Sequence, residues 1–582
     1  MSAFHASTEE SVNPTSRPSS NPSPQASAPG ALTGLLELPP QITRDIAGRI
    51  DRRSRIALAG TDRQLRAQLI DERQAARIIA RDVPAVRTTQ GFDAVFQRIG
   101  ELPVSLRGEV LAALGGHIYA LPLARTAQFD SVFGAIGQLP AEHRSAPLAA
   151  LGRRIHALPQ AGQAAQFDRM LGAIRQLPAE HRSDPLTVLC YQIQVLPQAA
   201  RTAQFDSALG AIGQLPAEHR SDPLTVLCYQ IQVLPQAART AQFDSALGAI
   251  GQLPAEHRSA PLAALGSQIH ALPQAAGTAQ FDSVLGAIGQ LPAEHRSAPL
   301  AALGRQINAL PQAARTAQFD SVLGAIGQLP VQHRSAPLAA LGRQIHVLAE
   351  AARTARFDSV FGAIGQLPVQ HHSDQLAALG RQIHALPQAA RTARFDSVFG
   401  AIGPLPAEHR SAPLAALGRQ VDALREAART ARFDSMLGTI GQMPAEHRSD
   451  PLTVLCYQIQ VLPQAARTAQ FDSLLRVIGQ LPAERRSGPL AALGGRIWAL
   501  PQAVRTAQFD NVLGAIGQLS AERRSAPLAE LGGEIEALPE AARTAQVDSM
   551  LSAIGELPTQ HRRVPLAAIR PAQVRIARWR IG

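Results

Sequence analysis

Apolar residues recur along most of this chain at the spacing of short amphipathic helices, and the pattern returns every 38 residues, as in the unit 291–328. The apolar stripe of its first half is Leu300, Leu303, Ile307 and Leu310, and that of its second half is Phe319, Val322, Leu323 and Ile326. Within each stripe the steps are mainly three or four residues, which places the side chains on one helical face. The pattern therefore predicts two helices per unit.

Internal similarity fixes the register of these units. Successive units begin at Leu139, Leu177, Leu215, Leu253, Leu291 and Leu329, and each divides into two 19-residue halves built on one template. The first half-unit begins at Val83 and the last at Leu557, which makes about thirteen units. Because a pair of short helices cannot bury its apolar face alone, we predict an all-α chain whose repeats stack into an α-solenoid of HEAT-like or tetratricopeptide-like type.

Punctuating residues support the two helices. Pro299 follows Ser297 and Ala298, which suits the first turn of a helix behind a polar cap. Gly327 stands where the second helix should end. Gly304 is expected to allow a neighbouring helix to approach closely.

Composition changes the picture in one respect: all 56 basic residues are arginine. The absence of lysine excludes the lysine of a phosphate-binding loop and Schiff-base chemistry. It also removes every side-chain amine to which ubiquitin could be attached, although a GC-rich genome is an alternative explanation. No stretch approaches the roughly 18 apolar residues of a membrane span.

The cysteines and histidines do not suggest a metal site. Cys190, Cys228 and Cys456 occupy one repeat position, where a disulfide framework or zinc site is not expected. The recurrent histidine of "EHR" is interpreted as a solvated ridge. We predict no metal, no cofactor and no catalytic constellation, and therefore no enzyme.

Arginine recurs in nearly every half-unit, as Arg296 and Arg315 do in the unit 291–328. A structural role is favoured, with these side chains paired to the aspartate of "FD", such as Asp320, or to helix C-terminal carbonyls. A basic groove is the alternative. Nucleic acid is disfavoured as a partner because the net charge of +11 amounts to about +1 per unit, spread along the array.

One position varies from unit to unit, directly after the isoleucine of the first half. Its occupants are Tyr119, His156, Gln194, Gln232, His270, Asn308, His346, His384, Asp422, Gln460, Trp498 and Glu536. A varying polar or aromatic residue at a fixed site on successive helices is how solenoids diversify a binding surface. The hypothesis is that this column contacts a protein partner, chiefly through Tyr119, Asn308, Asp422, Trp498 and Glu536; a tolerant exposed position is the alternative.

Residues 1–33 are rich in serine and proline and are predicted to be a disordered leader. No basic segment is followed by an apolar core, so a Sec-type signal peptide is not indicated. The leader resembles the N-terminal export signals of bacterial type III secreted effectors. That resemblance implies secretion into a host cell, to its cytoplasm or nucleus.

Residues 34–80 differ from the repeats. Leu38 and Pro39 are followed by Ile42, Ile46 and Ile50 at helical spacing, and after a polar break by Ile56 and Leu65. This segment resembles an F-box, although Gln41 stands where that family has Glu and its second-helix Cys and Trp are absent. The resemblance implies a three-helix unit in which those seven residues bind a Skp-family adaptor of cullin–RING ubiquitin ligases. A diverged N-terminal cap of the solenoid is the alternative.

Four segments are thus predicted: a leader at 1–33, an F-box-like unit at 34–80, the solenoid at 83–575 and a basic tail at 576–582. Together they resemble F-box effectors of plant-associated bacteria, whose known arrays are leucine-rich repeats, unlike this one. The predicted function is a non-catalytic adaptor that recruits an unknown host protein to a host ubiquitin ligase. The alternative is an α-solenoid protein-binding scaffold without ligase recruitment, and a nucleic-acid-binding array is a third possibility.

Overall fold

Every element of regular structure is helical in the computed structural model, which describes residues 72–121 and 125–581. The predicted all-α class is therefore confirmed. The chain forms two compact units, residues 1–140 and 141–582, which are described separately. No helix in the described part combines the length and apolarity that a membrane crossing requires.

The described part of the first unit contains four helices: α1 (Glu72–Asp82), α2 (Thr89–Gly100), α3 (Val104–Gly115) and α4 (Arg125–Gly137). Helix α1 buries Ala76 and Ile79 and packs beside α3, as the first helices of successive repeats do elsewhere. Arg98 of α2 holds Asp82 at 2.9 Å. Residues 72–80 therefore pack as part of the repeat array. The leader and the seven F-box-like residues lie outside the described residues.

The second unit continues the alternation of a first and a second helix in each repeat. In chain order its helices are α5 (Ser145–Gly152), α6 (Gln160–Arg175), α7 (Ser183–Tyr191), α8 (Gln198–Gly213), α9 (Ser221–Tyr229), α10 (Gln236–Gly251), α11 (Ser259–Gly266), α12 (Gln274–Gly289), α13 (Ser297–Gly304), α14 (Gln312–Gly327), α15 (Ser335–Gly342), α16 (Glu350–Gly365), α17 (Ser373–Gly380), α18 (Gln388–Ile402), α19 (Ser411–Gly418), α20 (Glu426–Gly441), α21 (Ser449–Gln458), α22 (Gln464–Gly479), α23 (Ser487–Gly494), α24 (Gln502–Gly517), α25 (Ser525–Gly533), α26 (Glu540–Gly555) and α27 (Arg563–Ile581). Odd numbers are first helices. Helix α27 continues through residues 576–581, which the sequence analysis predicted to be a separate tail.

The first helices before α27 are shorter than their apolar stripes, as α13 shows. Helix α13 ends at Gly304, and Ile307 lies in a following 3-10 turn, Ile307–Ala309, after which Leu310 is extended. A second 3-10 turn, Ala293–His295, precedes the helix. The stripe of the first half is nevertheless completely buried. The turns keep the apolar side chains on one side while the chain reverses direction.

The repeats bury their apolar stripes against one another in two layers. First helices pack on the first helices of neighbouring repeats, second helices on second helices, and the two layers enclose the core. Phe319, Val322 and Ile326 are buried, whereas Leu323 is half-buried. A Cβ atom at Gly304 would lie 3.8 Å from the backbone nitrogen of Leu341 in the next repeat. The close approach predicted at this glycine is confirmed.

The serine at the start of the first helix, which the sequence predicts to be a cap, has a different role in the structure. Helix α13 begins at Ser297 itself, and the preceding Arg296 already has helical backbone angles. In the repeat before it, the Ser259 hydroxyl donates to the carbonyl oxygen of His295 at 2.8 Å. The serine therefore joins neighbouring repeats, because the 3-10 turn leaves it no cap to fill.

The recurrent arginines bond backbone carbonyls. Arg315 donates from Nε to the Leu310 oxygen at 2.9 Å, from Nη2 to the Asn308 oxygen at 2.9 Å, and from Nη1 to the Val347 oxygen of the next repeat at 3.1 Å. Arg296 donates from Nε to the Leu291 oxygen at 2.7 Å. The structural interpretation is confirmed through the carbonyls. We call the arginines aligned with Arg315 the arginine ladder.

The aspartate of "FD" has another partner than the one predicted from sequence. Asp320 accepts two hydrogen bonds from Arg356, which lies directly before the phenylalanine of the next repeat, at 3.0 and 2.6 Å. In repeats that have glutamine there, Gln280 donates to Asp244 at 3.1 Å. Pairing of this aspartate with the ladder arginines is therefore wrong: Arg315 lies in the first turn of the second helix and bonds carbonyls there, whereas Asp320 lies in the middle of that helix.

Replacing a ladder arginine by alanine should destabilise the array. Arg353 donates to the Leu348 oxygen at 3.0 Å and to the Ala385 oxygen of the next repeat at 2.8 Å. Arg353→Ala leaves both carbonyls unpaired, and we expect a loss of about 1–3 kcal/mol, measured as a lower Tm in circular dichroism.

The control is Arg343→Ala, which removes the same charge from an exposed side chain. It should leave Tm nearly unchanged. Equal losses in both variants would contradict a structural role for the ladder.

Candidate protein-binding surface

Two positions that are exposed in most repeats follow the first helices, and we name them by their residues in the repeat 291–328. Arg305 comes directly after Gly304, and Asn308 comes after the buried Ile307. Both are exposed, while Gln306 between them is half-buried. The positions aligned with Arg305 and Asn308 in residues 141–582 together are called the variable face.

The backbone of the Asn308 position is bonded through its N–H in some repeats and through its carbonyl in others. The backbone N–H of His384 donates to Gln420 Oε1 of the next repeat at 3.0 Å, and that of Trp498 donates to Glu534 Oε2 at 2.9 Å. On the carbonyl side, the ladder arginine Arg429 donates to the Asp422 oxygen at 3.0 Å. In these repeats the varying side chains are therefore presented from a backbone that other side chains bond.

The structure places the predicted partner-binding residues mostly at the surface. Asn308 and Asp422 are exposed, and Trp498 is 45% exposed. Glu536 is half-buried and bonded to Arg575 at 3.1 Å, beside a cleft of about 280 Å³. In the first unit, Tyr119 is 49% exposed, with the His117 ring 5.6 Å away. Their binding of a partner stays a prediction.

A second varying position was missed from sequence. Its occupants in residues 141–495 are Arg153, Tyr191, Tyr229, Ser267, Arg305, Arg343, Arg381, Arg419, Tyr457 and Gly495. All of the tyrosines are exposed, as are the five arginines. The sequence signal was available, because arginine, tyrosine, serine and glycine alternate there between otherwise constant residues. The neighbouring structural arginines conceal it.

The Arg305 position lines a cleft of about 590 Å³ across the first helices α17, α19 and α21. Arg381, Arg419 and Tyr457 contribute from three successive repeats, with Ala415 and Val454 supplying apolar surface. The guanidinium of Arg496 lies 4.9 Å above the centre of the Tyr457 ring, a cation–π contact. The cleft thus combines cationic, aromatic and small apolar groups.

Two charged groups on or beside the variable face, Arg381 and Glu534, have shifted pKa values. Partial burial lowers the pKa of Arg381, and the like charges of Arg343 and Arg419 lower it further, against the opposing effect of Asp374. Burial raises the pKa of Glu534 above its ordinary value of 4.5, although the Trp498 N–H and the nearby Arg496 favour its charged form. Cationic side chains of successive repeats therefore interact directly.

The described residues include the three cysteines and other possible metal ligands. The three cysteines are free and completely buried, and burial raises the pKa of the Cys228 thiol to about 12, which keeps it protonated. Within residues 72–121 and 125–581, no group of three or more His, Cys, Asp or Glu residues could hold a metal ion.

Comparison with known proteins supports the fold. No family model and no curated protein matches the chain. Among solved structures, importin beta matches with a TM-score of 0.59 and 12% identity over 91% of this chain and 79% of that chain. A chain of the Kap95:Nup1 complex matches with a TM-score of 0.51 and 14% identity over 93% and 81%.

Kap121p bound to Ste12p matches with a TM-score of 0.52 and 11% identity over 93% of this chain, which spans 57% of the Kap121p chain. At these identities the likeness concerns the fold alone. The array is a helical repeat solenoid similar to the HEAT-like repeats of karyopherins. Of the two repeat types predicted, the HEAT-like one is therefore supported.

Replacing Glu534 by glutamine should stabilise the array at neutral pH. Glutamine occupies the aligned position in two earlier repeats, as Gln382 and Gln420. The amide oxygen can still accept from the Trp498 N–H, while the cost of burying a charge is removed. Because the folded-state pKa of Glu534 is raised, its unfavourable contribution develops as pH rises from the unfolded towards the folded pKa. The gain in Tm should therefore be largest at pH 7 and shrink as the pH falls through that window.

Glu522→Gln is the matched control, because it removes an exposed carboxylate from the same repeat. It should change Tm little at any pH. A gain for Glu534→Gln that does not depend on pH would argue against burial as its cause.

Proposed function

We propose that the chain is a non-catalytic protein-binding scaffold that captures its partner on the variable face. The observation that carries this proposal is the fixed backbone beneath varying exposed side chains, as at Trp498 with its N–H bonded to Glu534. The solved relatives in fold include a Kap95:Nup1 complex and Kap121p bound to Ste12p, so solenoids of this kind do bind protein segments. Nothing in the described residues suggests a reaction centre.

A photo-crosslinking amino acid introduced at one of two positions tests this proposal. Placed at Asn308 on the variable face, it should form protein adducts in plant-cell extract that excess unlabelled protein competes away. Placed at Ser321, which is exposed on the second helix, it should form few. The triple variant Asp422→Ala, Trp498→Ala and Glu536→Ala should weaken capture, since hot-spot residues lose 1 kcal/mol or more on truncation, about fivefold or more in affinity.

Equal adducts from Asn308 and Ser321, or capture indifferent to the triple variant, would contradict the variable face as the binding surface. Circular dichroism of the variants checks that the helices are retained.

A finer proposal is that the captured protein is delivered to a cullin–RING ubiquitin ligase in a host cell, after type III secretion. It is supported by the F-box-like pattern at Leu38, Pro39 and Ile42 and by the Ser/Pro-rich leader. A chain without lysine would resist ubiquitination by the ligase it joins. Because α1 packs as part of the array, the F-box-like unit would lie before Glu72.

A pull-down with a plant Skp-family adaptor tests this finer proposal. The full chain should retain the adaptor, and the double variant Leu38→Ala, Pro39→Ala should lose it. Leu102→Ala with Pro103→Ala, the same dipeptide inside the array, is the control and should retain binding. If the full chain does not bind the adaptor, only the scaffold proposal remains, and residues 34–71 would be a cap of the solenoid.

A further inference from the structure

Four successive repeats carry arginine at the Arg305 position, and we call Arg305, Arg343, Arg381 and Arg419 the arginine column. Each is exposed and lies directly beyond the C-terminus of an eight-residue first helix. Tyr457 follows at the same position in the next repeat. The column is thus a continuous cationic line that ends in an aromatic ring beside the cleft of about 590 Å³.

The framework of the described residues makes little use of the column, although Asp374 acts on Arg381 electrostatically. Among the described residues none of the four arginines has an acidic group within salt-bridge distance, and none donates a side-chain hydrogen bond. Arg394 and Arg353, by contrast, are bonded to Asp358 and to backbone carbonyls. Packing does not demand arginine here either, because other repeats carry tyrosine, serine or glycine. A cation at a helix C-terminus gains about 0.3–1 kcal/mol from the helix dipole, which those repeats forgo.

The spacing of the column fits one kind of ligand. First helices of neighbouring repeats are in contact, and packed helices lie about 8–10 Å apart. A polyproline II segment has three residues per turn and rises about 3.1 Å per residue, so every third side chain returns to the same face after roughly 9.3 Å. A β-strand alternates its side chains and cannot present every third residue to one side.

We propose that the arginine column binds an extended, polyproline II-like peptide with an acidic residue at every third position and an apolar or aromatic residue beyond the last acid. Each carboxylate pairs with one guanidinium, and the apolar residue enters the cleft against Tyr457, Ala415 and Val454. This inference rests on the proposed scaffold function and names the partner class of its variable face.

The acidic side chains near the column limit where the peptide runs. Glu408 and Asp450 also line the cleft, and Asp374 acts on Arg381. They lie at or before the N-terminal ends of first helices, and eight helical residues span about 12 Å. The peptide therefore follows the C-terminal ends, on the side of the arginines.

Fluorescence anisotropy with the full-length protein at low salt tests the proposal. The probe is a labelled synthetic peptide with four glutamates at every third position, proline between them, and a C-terminal Phe after the last glutamate. A peptide of the same composition with its glutamates at every second position is the comparison, and it should bind several-fold more weakly. The double variant Arg343→Gln, Arg381→Gln should lose about tenfold in affinity, the loss of two exposed ion pairs.

Arg476→Gln is the matched control, because Arg476 is an exposed arginine near the C-terminal end of the second helix α22, outside the variable face. It should bind within about twofold of the unaltered protein, and equal Tm values should exclude misfolding. Equal affinity for both peptides, indifference to the double variant, or stronger binding of a single-stranded oligonucleotide of equal charge would overturn the inference. If the crosslinker at Asn308 still forms competable adducts while the peptide fails to bind, the scaffold function is retained and only the peptide proposal for the arginine column is wrong. If neither the adducts nor peptide binding is observed, both proposals are wrong.

Discussion

In eight of the described repeats, one guanidinium bonds backbone carbonyls on both sides of the boundary between neighbouring repeats. Arg315 reaches the Leu310 oxygen of its own repeat and the Val347 oxygen of the next, at 2.9 and 3.1 Å. The chain needs such a bond because the first helices are short, so many carbonyls fall in turns and helix ends without an intrahelical partner. The arginine ladder satisfies them and at the same time joins the repeats whose apolar stripes must be buried together.

This arrangement separates the residues that fix the framework from those that are free to vary. The Asn308 carbonyl is bonded by Arg315, and the aligned His384 N–H is bonded by Gln420 of the following repeat. Because these bonds use only backbone atoms of the varying residue, its side chain can change from histidine to aspartate or tryptophan without altering them. The same logic explains why net charge is a poor guide to the ligand: the ladder arginines are committed to carbonyls, and the arginine column is not.

Periodicity alone was enough to predict the fold class, the repeat length and most of the core. The spacing of Leu300, Ile307 and Phe319 along the chain already indicates that they are buried, without knowledge of which distant residues they contact. The short first helix could not be predicted, since its apolar stripe continues through a 3-10 turn with the same spacing. The variation at the Arg305 position was visible in the sequence, but it was concealed among Arg296, Arg315 and their counterparts. The positions of the carbonyls show why: Arg296 and Arg315 are bonded to them, and Arg305 is not.

The absence of lysine has different explanations at the ladder positions and at the exposed positions. At the ladder positions, a planar fork must donate to two or three carbonyls in fixed directions, as Arg429 does to the oxygens of Val461 and Asp422 at 2.8 and 3.0 Å. A lysine ammonium is a single point at the end of a flexible stem and would replace only part of this geometry. At exposed positions such as Arg343, lysine would carry the same charge at little structural cost. The framework therefore accounts for arginine in the ladder, and the lack of lysine on the exposed surface must come from base composition or from a pressure outside the fold, of which avoidance of ubiquitination is one.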